Sequence, residues 1–398
     1  MTLRETSSSE TPSASVPASS SRAAPGLHFD VYAQTDVGKV REHNEDNFLI
    51  ADLTQGARIV PSEGRILTLG PRGAVFAVCD GMGGAAAGEV ASQLAVDILL
   101  ERLLAAGCAG AQARDDFARS LVSAVEHAGI RIYHEARADR SRHGMGTTVT
   151  AAALLDDVLF FAQVGDSRAY LLREDKLVQV TRDQSLVNQL IEAGQLTEEE
   201  AETFEHNNII LQALGTADTV QVDLTFAPLR RGDTLMLCSD GLSGMVRSEE
   251  IREVLRGGGP PSELCRELID RANAAGGHDN VTVVVVRFDG DSTLVTSSSD
   301  EALKYRKYVL TNDADGEKTA PMQQMLIRSN PPPALPQSAP DSTPAVPSSS
   351  TTKTLPSAPD HDYDRVDIPG TDIPLWGVIG IAAAVVLLLG VMAFVLLR

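Results

Sequence analysis

Val75-Phe76-Ala77-Val78-Cys79-Asp80-Gly81-Met82-Gly83-Gly84-Ala85-Ala86-Ala87-Gly88-Glu89-Val90-Ala91-Ser92 is an apolar run that stops at one carboxylate, turns through glycines and continues as a helical pattern. Val75 to Cys79 is too short and too β-branched for a helix and reads as a buried strand, with Asp80 where that strand emerges. Gly81, Gly83 and Gly84 allow a sharp turn that exposes a carbonyl beside the Asp80 carboxylate. Those are two hard oxygen donors of the kind Mg²⁺ or Mn²⁺ prefers. The same residues, taken alone, also describe a plain strand–turn–helix connection in which Asp80 caps the helix.

The pattern recurs. Thr234 to Cys238 is another apolar strand and runs into Ser239-Asp240-Gly241, while Gly276-Gly277-His278-Asp279-Asn280 leads into the strand Val281 to Phe288. Aspartates thus stand at the ends of separate strands, each next to glycine. Carboxylates gathered at the rim of a sheet repel one another unless a cation lies between them, which points to a divalent-metal cluster. Two further loops fit. The segment Gly38 to Asn47 sets Arg41 and the acidic pair Glu45-Asp46 before the strand Phe48 to Ala51, and Phe160 to Val164 runs into Gly165-Asp166-Ser167-Arg168.

In order, RxxNED (Arg41 to Asp46), DGMGG (Asp80 to Gly84), GMGTT (Gly144 to Thr148), GDSRAY (Gly165 to Tyr170), DQSLV (Asp183 to Val187), SDGL (Ser239 to Leu242) and GGxDN (Gly276 to Asn280) make the chain resemble a known family. It is that of the metal-dependent Ser/Thr protein phosphatases, the PPM or protein phosphatase 2C family, in its bacterial form. The resemblance covers roughly His28 to Phe288 and implies an α+β fold: a four-layer α-β-β-α sandwich with two central antiparallel sheets. It also implies hydrolysis of phosphoserine and phosphothreonine by a water activated on a binuclear Mn²⁺ or Mg²⁺ centre. By the same resemblance Asp80 bridges the ions, the Gly81 carbonyl serves one of them, and Asp240 with Asp279 serves the other. Glu45 and Asp46 order bound water, Arg41 grips the phosphoryl group, and Asp166 with Ser185 matches a third, weaker ion site. Met82 stands where many eukaryotic members carry a histidine after the DG pair and where bacterial-type members share the methionine, so the resemblance leaves the general acid unassigned without implying loss of activity. No GxSxG nucleophile motif and no P-loop competes. The rival from another class is a catalytically silent, membrane-tethered phosphoprotein-binding or sensor module on the same fold.

Composition bounds the rest. A formal net charge of −20 argues against nucleic acid as a partner, because no basic patch offsets repulsion from phosphates. Cys79, Cys108, Cys238 and Cys265 have no zinc spacing and read as reduced structural thiols, as in a cytosolic setting. Residues 1–26 form a Ser/Thr/Pro/Ala-rich tail expected to be disordered, without the apolar stretch of a signal peptide. The domain is expected over 27–289. A Pro/Ser/Thr-rich linker over 290–372 follows, with a short helix around Asp300 to Val309. The uncharged run Leu375 to Leu397, within 373–398, is long enough at about 1.5 Å per residue to cross a hydrocarbon core of about 30 Å. It reads as a single transmembrane helix that tail-anchors the chain with its catalytic domain in the cytoplasm. The expected partners are Ser/Thr-phosphorylated proteins and that membrane.

Between the motifs, Ala85 to Ala105 and Asp115 to Ala136 carry apolar residues at helical spacing, and the short strands that follow are joined by tight turns as in an antiparallel meander. Gln184 to Gly194 and Thr197 to Glu205 read as short helices, the second opening with a Thr197–Glu200 capping box. Helices over Ser248 to Arg256 and Pro261 to Ala275 precede the closing strand.

Overall fold

The computed structural model describes residues 26–64, 66–83, 87–106, 114–202, 204, 208–290 and 303–310. In chain order the first strands are β1 (Leu27–Asp36), β2 (Asn47–Asp52), β3 (Ala57–Arg58), β4 (Ile66–Thr68), β5 (Ala74–Cys79), β6 (Gly81–Met82) and β7 (Gly146–Thr147). They continue with β8 (Val149–Leu155), β9 (Val158–Val164), β10 (Arg168–Arg173), β11 (Lys176–Gln179), β12 (Asp223–Pro228), β13 (Thr234–Cys238) and β14 (Val281–Gly290). The α-helices are α1 (Ala87–Ala106), α2 (Arg114–Ala138), α3 (Leu186–Glu192), α4 (Glu198–Glu202), α5 (Asp240–Ser243), α6 (Ser248–Gly257) and α7 (Pro261–Ala274).

Two six-stranded sheets result, ordered β11-β10-β13-β14-β1-β4 and β12-β9-β8-β5-β2-β3, with every strand pair antiparallel. Period-two alternation makes each central strand buried on both faces. In β5, Val75, Ala77 and Cys79 face the core shared with α1 and α2, while Phe76 and Val78 join the core between the sheets. In β14, Val284, Val286 and Phe288 enter that same middle core, while Val281, Val283 and Val285 pack with α6 and α7. Three apolar interfaces therefore separate four layers, helix, sheet, sheet and helix, which is the α+β architecture the resemblance implied.

The elements read from periodicity are present with small shifts of boundary. Not foreseen were the edge strands β3, β4 and β11, the single turn α5 and the two-residue ribbon of β6 with β7, all too short to carry a pattern. The capping box holds: Thr197 N–H donates to Glu200 Oε2 at 2.9 Å, and Glu200 N–H to Thr197 Oγ1 at 3.2 Å. Cys79, Cys238 and Cys265 are free and buried, as expected of structural thiols.

One expectation fails in the described residues. Instead of a helix around Asp300 to Val309, residues 303–310 run extended against the edge of β12, bridging Thr225 to Lys307. Tyr308 explains the preference. Its ring sits edge-on to Phe160 and Phe226, with centroids 5.1 and 5.4 Å away, a placement that the half-buried surface beside a sheet edge offers. The composition break at Asp289 is therefore not where contact with the domain ends. The tail 1–25 and the run Leu375 to Leu397 lie outside the described residues; among the described residues no helix is long and apolar enough to cross a membrane.

Candidate active site

Strand register decides what meets at the rim. Asn47 pairs with Cys79, so Asp46 and Asp80 each lie one residue beyond that pair, at the same end of their sheet. Cys238 pairs with both Arg168 and Val283, which places Ser239-Asp240, Asp166-Ser167 and Asp279-Asn280 with the start of β14 at one end of the other sheet. Two close approaches demand glycine there. A Cβ on Gly81 would fall 2.3 Å from the Gly88 carbonyl oxygen and 2.5 Å from that of Glu45, and one on Gly241 would fall 2.0 Å from the Asn280 carbonyl oxygen.

Side chains then lock the rim. The two sheets are stitched at Asp46, whose Oδ2 accepts from Ser239 Oγ and from Thr282 Oγ1, both at 2.7 Å. Thr148 Oγ1 accepts from the Asp80 N–H at 3.0 Å, and the Asp80 carbonyl accepts from Thr148 N–H and Thr147 Oγ1, each at 2.8 Å. The GMGTT motif thus fixes the backbone of Asp80. Asn280 performs the same service for the loop of Arg41: its Oδ1 accepts from Glu45 N–H at 2.8 Å, and its Nδ2 donates to the carbonyls of Val37 and His43 at 3.0 and 2.9 Å.

The electrostatics are those of crowded acids. Burial pushes Asp46 and Asp166 up to about 7, with the Asp240 charge adding to the rise in both, against the lowering effect of the Ser239 and Thr282 hydroxyls on Asp46. Asp80 is driven well above the usual carboxylate range, by loss of water first and then by Asp46 and Asp240. Asp240 is raised as well, again mainly by burial, and its carboxyl lies in hydrogen-bonding reach of Asp80. Glu45 is raised by burial, although the Gly88 N–H at the start of α1 opposes the shift. Arg41 donates to Asp279 Oδ2 at 2.7 Å; loss of water would lower its pKa, but Asp279, Glu45 and Asp80 hold it above the ordinary value.

The arrangement fits a divalent cation. Asp46 Oδ1, Asp166 Oδ1 and Asp240 Oδ1 are buried with no hydrogen-bond partner, a costly condition that a cation relieves. Among the described residues no three His, Cys, Asp or Glu side chains close into a ready-made chelate. Asp279 turns to Arg41, and the charges of Arg41 and Arg168 offset part of the crowding at Asp240. A cleft of about 550 Å³ includes Asp46 in its wall, together with Asn44, Glu89, Gln93, Glu135 and Arg142.

Residues 67–280 match the family described as Protein phosphatase 2C, more than half of the chain. The chain belongs to the protein phosphatase 2C family. The serine/threonine phosphatase stp of Listeria innocua is 36% identical over 259 residues, which are 64% of this chain and 93% of that one. Among solved structures, the Mycobacterium tuberculosis serine/threonine phosphatase PstP/Ppp is 34% identical with a TM-score of 0.56, over 66% of this chain and 99% of that one. The catalytic domain of the serine/threonine phosphatase PstP, in complex with two manganese ions, is 35% identical with a TM-score of 0.54, over the same shares. Membership makes the chain a protein serine/threonine phosphatase, dependent on a divalent metal.

In this phosphatase the acids Glu45, Asp46, Asp80, Asp166, Asp240 and Asp279 and the base Arg41 all converge on one end of the sandwich. Ser185 sits differently. Its hydroxyl caps α3 by accepting from Asn188 N–H at 3.3 Å, which leaves part of its acceptor capacity for anything else. Its neighbour Gln184 clasps the turn before Asp166, exchanging bonds of 2.9 and 3.0 Å with the backbone of Gly165. Met82 lies in the β6–β7 ribbon and offers no proton. The residues that sequence reasoning passed over are the holders: Thr148, Ser239, Asn280 and Thr282. The first three stood inside quoted motifs, and Thr282, two places after Asn280 on a strand of valines, was the odd polar residue on a core face.

Proposed function

We propose that this phosphatase hydrolyses phosphoserine and phosphothreonine side chains of proteins at the acid rim, with Asp80, the Gly81 carbonyl, Asp240 and Asp279 holding two Mn²⁺ or Mg²⁺ ions. The observation that carries this reading is the set of buried, partnerless carboxylate oxygens on Asp46, Asp166 and Asp240. When bound, such ions neutralise phosphoryl oxygens and lower the pKa of water. The chain's own residues do the rest. Arg41, half-exposed beside Asp279, presents a fork that suits two phosphoryl oxygens at once. Asp46, clamped by Ser239 and Thr282, and Glu45, set by Asn280 and by the first turn of α1, orient water at the rim. Asp166, with Ser185 across the Gly165–Gln184 clasp, is the place for a third ion.

We further propose that Leu375 to Leu397 holds the enzyme at a membrane with the phosphatase domain in the cytoplasm. The length of that uncharged run and the free buried thiols support this. Turnover of a phosphothreonine peptide with Mn²⁺ and its loss in EDTA test the first proposal. A folded protein with no turnover in Mn²⁺ would instead favour the silent binding module. Retention of the full chain in the membrane fraction, with release on deletion of Leu375 to Leu397, tests the second.

A further inference from the structure

Helix α3 carries no buried residue, and at this length a helix gains little from its own hydrogen bonds. Polar braces hold it. Asn188 Nδ2 donates to the Asp183 carbonyl at 2.9 Å and to Glu192 Oε1 at 3.2 Å, and Arg182 Nε meets Glu192 Oε1 at 2.9 Å. The base of the segment is tied to the site, since Arg168 pairs with Asp183 at 2.7 Å and Gln184 clasps Gly165, the residue before Asp166.

Arg182 is in turn covered from outside the domain's own sequence span. Its guanidinium carbon lies 4.5 Å from the centre of the Tyr305 ring, in the strap formed by residues 303–310. The strap adds itself to the free edge of β12. Phe226 N–H donates to the Arg306 carbonyl at 3.1 Å and Tyr308 N–H to the Leu224 carbonyl at 2.9 Å. Tyr305 OH donates to Asp223 Oδ2 at 2.7 Å, and Lys307 Nζ reaches Asp223 Oδ1 at 3.2 Å. The strap lies beyond residues 67–280 and beyond the boundary suggested by composition, yet it makes the same kinds of contact as a core strand.

We propose that Tyr305 is a positioning residue for the active site: its ring on Arg182 fixes the Arg182–Glu192 brace, so that docking of the C-terminal strap sets the order of the 182–192 segment that clasps Gly165–Asp166. The ring is what stacks on Arg182, while the hydroxyl bonds to Asp223 and the strap is also held by the backbone bonds of Phe226 and Tyr308. The strap 303–310 is thereby tied to the segment beside the acids, and whatever pulls it off β12 slackens that segment.

The test uses the full chain and the variants Tyr305→Ala and Tyr305→Phe. In hydrogen exchange, the amides of residues 186–192 in Tyr305→Ala should exchange about two- to fivefold faster than in the wild type, the equilibrium equivalent of an exposed cation–π contact. In Tyr305→Phe, which keeps the ring, they should exchange at the wild-type rate. With Mn²⁺, the KM for a phosphothreonine peptide should rise by a similar factor in Tyr305→Ala, while kcat on p-nitrophenyl phosphate stays within about twofold. Unchanged exchange over 186–192 in Tyr305→Ala overturns the proposal, as does a Tyr305→Phe variant that behaves like Tyr305→Ala. The kinetic arm rests on the phosphatase reading and the exchange arm does not, so a wild type without turnover would sink that reading while exchange still decides this one.

Discussion

Strand β13 has an aspartate just outside each end, and the two are treated in opposite ways. Asp233, before the strand, is 1% exposed and completely answered: Arg173 grips both its oxygens at 2.9 and 2.7 Å, and Arg230 N–H adds a third bond at 2.8 Å. Asp240, after the strand, has no arginine bound to it; its Oδ1 is buried without a partner, Asp80 and Asp279 crowd it, and Arg168 and Arg41 act on it only through their charge. The chain is thus able to neutralise a buried carboxylate with its own residues, and does so where only the fold is at stake. Where it withholds the cation, the charge is left for something from outside. Incomplete satisfaction, not acidity as such, marks the working end of the sandwich.

Exchanging the two fates is the sharpest way to break this comparison. Asp240→Asn or Asp80→Asn should lower turnover of a phosphothreonine peptide on the order of 10³-fold, because charge stabilisation at the reacting phosphate is lost. The thermal midpoint of the metal-free protein should hold or rise, since an unpaired buried charge has gone. Asp233→Asn should do the reverse. It leaves Arg173, 11% exposed, without its carboxylate and should cost about 3–5 kcal/mol in denaturant unfolding while the remaining folded enzyme keeps its kcat. If Asp240→Asn unfolds the protein, or Asp233→Asn abolishes kcat in the folded fraction, the distinction between the ends fails.

Acid titration sharpens the same contrast. Asp46 and Asp166 stand at about 7 in the folded protein against an ordinary 3.8, so the folded state takes up protons before the unfolded chain does. A raised carboxylate contributes stability that is present below the unfolded pKa and is lost as pH rises through the folded one. The melting temperature in EDTA should therefore fall by several degrees between about pH 5 and pH 8. In saturating Mn²⁺ the slope should flatten or reverse over that range, because the cation binds the deprotonated carboxylates and competes with protons. Parallel slopes in EDTA and Mn²⁺ would mean that these acids are not where the metal acts.

Much of this was legible in the residues alone, for a physical reason. A central strand buried on both faces must be an apolar run, so Val75 to Cys79, Thr234 to Cys238 and Val281 to Phe288 declared themselves, and the acids at their ends stood out against them. What did not show was anything decided by contact with an edge. Tyr305 and Tyr308 earn their places only because β12 leaves one side open; in isolation their spacing suits a helix face equally well. The hydroxyls of Thr148, Ser239 and Thr282 were invisible for a related reason. Thr282 on β14 looks like one more β-branched residue until its oxygen is seen to point at Asp46, and nothing local to Thr148 or Ser239 says that their hydroxyls meet Asp80 and Asp46.

The smallest expected effect concerns the two arginines, and it separates a fork that holds the fold from a fork that is free to hold substrate. Arg41 is 51% exposed and meets Asp279 through one contact, an arrangement typically worth about 0–1 kcal/mol to stability. Arg173 is sealed and bidentate. Arg41→Lys should therefore leave the melting curve unchanged yet raise the KM for a phosphothreonine peptide about tenfold, because an ammonium keeps the charge but loses one of two charge-assisted hydrogen bonds. Arg173→Lys should leave KM alone and lower the melting temperature. Since both substitutions keep the charge, a difference between them reports geometry only. If Arg41→Lys leaves KM within twofold of wild type, the fork beside Asp279 is a surface ion pair, and the phosphoryl group must be gripped by some other residue at this rim.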